Sequence, residues 1–165
     1  MAVESSVVKH KYDVTMELSD GAGTPNTLAV EMQLGEDTLD NLRPSQREVI
    51  AYQVRGAIKS VRKSAFSPAT FGFPFYETGL TDATLETVID FMRQSGSFSS
   101  NVSTLGSNAD VYCIKVTVTI EGTDHGDAAD HTFVIDDWHP VLSRTGGEPN
   151  TWTCSGESYA VPSFT

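Results

Sequence analysis

The chain has 165 residues, 39% hydrophobic and 20% charged, with 11 Lys and Arg against 22 Asp and Glu for a formal charge of −11. That length fits one hydrophobic core, the composition excludes wholesale disorder, and the charge argues against a protein that grips nucleic acid, which is held mainly by basic side chains. No apolar run is long enough for a membrane-spanning helix, and residues 1–6 lack the basic head and apolar run of a signal peptide, so folding in a cytoplasm is the expectation.

Residues 7–18 alternate, with Val8, His10, Tyr12, Val14, Met16 and Leu18 on one side and Lys9, Lys11, Asp13, Thr15 and Glu17 on the other. Period two of this length predicts a half-buried strand. Leu28, Val30, Met32 and Leu34 repeat the pattern, and the Gly/Pro/Asn-rich stretch 19–27 joins the two as a long-looped hairpin. Residues 35–48 form an acidic, turn-rich connection through Arg43-Pro44-Ser45, predicted to project from the body. Residues 49–63 fit two patterns. As a helix they have a Ser45/Glu48 capping box and a face of Ile50, Val54, Ala57, Ile58 and Val61. As a strand, Ile50, Tyr52, Val54, Gly56 and Ile58 alternate, and interior Gly56 would cost a helix about 1 kcal/mol.

Residues 69–77 place Phe71, Phe73 and Phe75 on one face, and Pro74 makes this an edge strand or a bulged one. A helix is predicted over 82–95, capped by Thr81 and closed by Gly96, with Leu85, Val88, Ile89 and Met92 buried and Glu86, Asp90 and Arg93 facing water. After a small, polar loop, strands are predicted at 111–121, 131–138 and 151–160, with Trp138 and Trp152 anchoring the core or an interface. Strand parity sets Cys113 on the outer face with Lys115, Thr117 and Thr119, and Cys154 beside Trp152, so both thiols are expected to be free.

No residue set reads as an active site. Asp124-His125-Gly126-Asp127 with Asp130-His131 is rich in ligands but lacks the spacing of a calcium or zinc motif. His139 with Asp136 or Asp137 lacks a nucleophile in a strained elbow, and no glycine-rich phosphate loop is present. No catalytic residue, metal or cofactor is therefore assigned. Charge, by contrast, is segregated. Arg43, Arg47, Arg55, Lys59, Arg62 and Lys63 crowd residues 43–63, opposed only by Glu48, whereas 121–137 holds Asp124, Asp127, Asp130 and three further acids with no basic residue. A chain at −11 repels its own copies, so complementary faces such as these are candidate subunit contacts.

The order of elements from about residue 50 resembles the tail tube proteins of long-tailed bacteriophages, over 70–76, 84–96, 111–122, 131–139 and 151–162. That family often has a strand with a central glycine before this run, which Val54-Arg55-Gly56-Ala57-Ile58 resembles, and this favours the strand over 49–63. The resemblance implies an all-β, sandwich- or barrel-like domain spanning 1–165 with one packed helix. It also implies a structural, non-enzymatic virion protein, assembled in the host cytoplasm, that polymerises with itself into stacked rings. Its partners would be further tail proteins such as the tape measure and terminator, with no membrane insertion. An acidic bore would pass DNA without holding it. Two other readings remain: a terminator, baseplate ring or decoration protein on the same fold, and a monomeric β-sandwich binding module with an exposed tryptophan.

Overall fold

The alternating N-terminal stretch forms strand β1 (Val14–Ser19), and β2 (Thr27–Val30) returns beside it, with Met16 opposite Val30 and Ser19 opposite Thr27. The computed structural model describes residues 14–30, 47–76, 87–122, 128–146 and 151–165; the expected strand segments at 7–13 and 31–34 lie outside these. On the other edge of β1 runs β6 (Ile114–Ile120), from Val14 opposite Ile120 to Ser19 opposite Lys115. Its parity is the predicted one: Ile114, Val116 and Val118 are buried, and Thr117 and Thr119 are half-exposed.

Strand β7 (His131–Thr145) is longer than expected because it serves two partners in succession. Its first half pairs with β6, from His131 opposite Ile120 to Trp138 opposite Ile114. Its second half pairs with β8 (Thr151–Ser158), from Trp138 opposite Ser158 to Thr145 opposite Thr151. The change of partner coincides with a register shift and with Asp137 at φ +50, a bulge of the kind that bends a strand. Strand β5 (Ala69–Tyr76) completes the order β2-β1-β6-β7-β8-β5 at one edge of the described sheet, where Pro74, which has no N–H to give, lies opposite Thr153. A short strand, β9 (Ser163–Phe164), rejoins β7 opposite Phe133 and Val134.

Phe71 and Phe73 from one end of this sheet share a buried cluster with Met16, Leu18 and Val30 from the other, together with Val116, Ile135 and Trp138. The sheet must curl to bring its ends onto one core, as twisted sheets do when they approach a barrel. Trp138 is fully buried, its ring 5.7 Å from Phe71 and 6.0 Å from Phe73. Trp152 is only half-buried, with the Arg144 guanidinium 5.9 Å from its ring. The core tryptophan is therefore Trp138, and Trp152 sits at the margin.

Helix α1 (Val88–Arg93) lies within the predicted span; Thr81, its expected cap, falls outside the described residues. The cap observed is Thr87, whose Oγ1 accepts from the Asp90 amide at 3.1 Å. Asp90 departs from expectation, being fully buried rather than facing water. Its carboxylate accepts from the Thr87 hydroxyl at 2.6 Å and the Ser95 hydroxyl at 2.8 Å. An acid at this position reads as solvent-facing only if the helix continues. Here Gln94 turns left-handed at φ +52, before Gly96, and brings Ser95 back over the first turn.

The polar loop after α1 is pinned to the sheet by a buried clasp. Asp20 accepts from the amides of Asn26 at 2.8 Å and Val102 at 3.0 Å, and Gly21 donates to the Val102 carbonyl at 2.8 Å. A side chain at Gly21 would place its Cβ 2.3 Å from the Ser103 carbonyl oxygen, so only glycine fits there. Asn26 and Tyr112 both bond Asn101, and burial, opposed by the Asn101 hydrogen bond and aided by the Asp20 charge, pushes the Tyr112 hydroxyl up to about 12. This loop also explains Cys113. It is buried rather than on the outer face, because Ser103 and Thr104 hydrogen-bond its backbone and cover that end of β6. Cys113 and Cys154 are free thiols, as expected.

Candidate assembly interface

Residues 49–63 are neither a helix nor one strand. They form a hairpin of β3 (Arg47–Val54) and β4 (Ala57–Phe66), a two-stranded sheet of its own. The strands join through Arg55 and Gly56 alone, at φ +51 and +79. Positive φ at both central residues is the two-residue turn whose twist matches a hairpin, and glycine at the second position makes it accessible. The central glycine of the expected strand is thus its reversal point. Of the projecting loop predicted over 35–48, residues 35–46 fall outside the described residues, and 47–48 open β3.

The pairing distributes apolar and basic side chains over both faces. Ile50 lies opposite Arg62 and Tyr52 opposite Ser60 on one face; Val49 lies opposite Lys63 and Ala51 opposite Val61 on the other. A register shift after Tyr52 leaves Lys59 as the extra residue and sets Ile58 opposite Gln53 rather than in line with Ile50 and Tyr52. Val49, Ile50, Tyr52, Val54, Ile58 and Val61 are between 38% and 61% exposed. Among the described elements, β3 and β4 contact only each other. An isolated two-stranded hairpin is at best marginally stable in water, and monomers rarely leave contiguous apolar surface open, so this element is built to be covered.

The predicted basic residues fall on this element. Arg55 is at its tip, and Lys59, Arg62 and Lys63 lie exposed along β4. Arg47 begins β3, and Arg43 lies outside the described residues. Of the acidic set, Asp124 and Asp127 lie outside them, while Asp130 is exposed beside β7 and accepts from the Gly122 amide at 3.2 Å. Sequence reasoning missed that these six apolar residues are exposed. Its overlooked signal was an X-Gly pair between two alternating runs, which marks a hairpin.

The residues tested for catalysis are not brought together. The His139 Nδ1 lies 2.9 Å from the Tyr112 carbonyl oxygen, and Asp137 accepts from the Thr104 hydroxyl at 2.7 Å. Among the described residues, no three His, Cys, Asp or Glu side chains are placed to hold a metal ion.

The fold of the chain is like that of chains in contractile injection particles. The chain is similar to one in the PVC extracellular contractile injection system, sheath/tube terminator in the extended state, at 9% identity and TM-score 0.60, covering 99% of each chain. It is similar, at 9% identity and TM-score 0.60, to a chain of the anti-feeding prophage baseplate, covering 100% of this chain and 97% of that one. A third likeness, at 6% identity and TM-score 0.57, is to a chain of the PVC sheath-tube complex, over 93% of this chain and 88% of that one. At such identities the likeness is one of fold. No protein-family model and no curated protein matches the sequence.

Proposed function

We propose that this protein is a structural, non-enzymatic subunit of a tail-like tube, joining copies of itself through the β3–β4 hairpin. One observation carries the reading: a hairpin with exposed apolar residues on both faces, standing clear of a body whose fold is that of tail-tube and terminator chains. A donor element at one place and an acceptor surface at another make a head-to-tail contact, which closes into rings when the rotation allows. The excess of acid over base elsewhere in the chain suits a basic hairpin seated on a neighbour. The outer face of β1 and β6, with Thr15, Glu17, Thr117 and Thr119 and Lys115 as its one described cation, suits a lumen wall that lets a polyanion such as DNA pass, because Glu17 offsets that charge. Further tail proteins, a tape measure and a terminator among them, are the remaining partners, and the location is the tail of a virion or similar particle assembled in the host cytoplasm.

Negative-stain microscopy of purified protein tests this. Long tubes identify a tube subunit, and single rings that stop growing identify a terminator or baseplate ring. Ile58→Asp with Val61→Asp is expected to abolish either product while leaving the circular-dichroism spectrum unchanged, because both side chains face solvent in the monomer. A protein that stays monomeric at high concentration overturns the reading.

A further inference from the structure

Resting on that self-assembly reading, we propose that β9 is a displaceable latch covering the strand edge that receives the hairpin of a second copy. The edge belongs to the first half of β7, whose other side is taken by β6. Beyond Ser158, Tyr159 still donates its backbone N–H to the Asp137 carbonyl at 3.1 Å; the chain then leaves the edge through Ala160, Val161 and Pro162 and returns for two residues opposite Phe133 and Val134. Its hold is thin. Thr132 and Thr165 exchange backbone hydrogen bonds at 2.7 and 2.9 Å, and their hydroxyls lie 2.6 Å apart. The Phe164 ring stacks on His131 at 5.9 Å and lies 6.2 Å from Phe133, yet it remains 63% exposed. Val161 and Tyr159 before it are exposed too.

The ground beneath the latch matches the hairpin. Glu121 and Asp130 lie at the turn end of the β6–β7 pair, Asp136 and Asp137 lie two and three residues beyond Val134, and the span 121–137 has no Lys or Arg. Lys59, Arg62 and Lys63 run along β4, which among the described strands pairs with β3 alone. A β4 edge that no described strand takes, with basic side chains beside it, and an acidic edge under a two-residue cover are complementary in charge and can pair through their backbones. While β9 is down, a free subunit cannot take the hairpin of another; release of β9 opens the site.

Thr132→Cys with Thr165→Cys tests this, because the two hydroxyls already touch and the native thiols are buried. Oxidation to close the bridge is expected to abolish assembly and reductant to restore it. Phe164→Ala, which loosens the latch without touching the core, is expected to assemble faster and at lower concentration than the intact chain. If the bridged protein forms the same particles as the intact chain, the latch is wrong and the self-assembly reading stands. If Phe164→Ala assembles no faster than the intact chain, the latch is wrong; an intact chain that stays monomeric at high concentration overturns both readings.

Discussion

Cys154 sits in the middle of three paired strands, opposite Phe73 on one side and Leu142 on the other. Burial pushes its thiol from the ordinary 9.0 up to about 12, against a backbone hydrogen bond at Val141 that pulls it down. Burial, with the Asp137 charge adding to it, raises Cys113 in the same direction. The folded protein therefore holds these protons, and that of Tyr112, at pH values where the unfolded chain has released them. Stability from this source is complete below the ordinary thiol range and is lost as pH rises through the interval up to about 12. Urea denaturation midpoints are expected to fall between pH ~8 and pH ~11, with neither thiol alkylated in the native protein at the lower pH. A flat midpoint across that range would show that these groups are not desolvated.

The hairpin and the body are separable elements, since neither β3 nor β4 contacts another described element. Its turn depends on two consecutive left-handed residues, one of them the arginine at 55. Gly56→Ala forces a side chain into that conformation, at a cost of about 1–2 kcal/mol. The expected outcome is faster amide exchange along 47–66 and slower assembly, with the melting temperature of the body unchanged. Arg55→Asn should act in the opposite direction on exchange, because asparagine tolerates the left-handed region better. A body that melts earlier in the Gly56 variant would mean that the hairpin packs on its own subunit.

For the whole molecule, the proposed assembly would bring a basic hairpin against the acidic surface of a second copy. Arg55→Glu with Lys59→Glu is expected to impair assembly and to leave the circular-dichroism spectrum unchanged, since both side chains are exposed. Salt should weaken assembly of the unaltered chain while affecting the reversed one less, because screening removes attraction in the first and repulsion in the second. Assembly that is insensitive to both changes would assign the contact to apolar burial alone.

The alternation of apolar residues was enough to place β1, β2, β5, β6 and β8, because period two is a local consequence of one buried face. Pro74 narrowed β5 to an edge or a bulged strand, of which the fold shows the edge, and the charge segregation between 43–63 and 121–137 was plain in the order of residues. Other features depended on contacts distant in sequence. The loop that buries Cys113, the bulge that lets β7 change partners, and the solvent on both sides of Ile50 and Val61 have no local signature. Whether a residue is core or contact depends on what lies opposite it. Only the folded chain shows that no other described strand or helix packs on the hairpin.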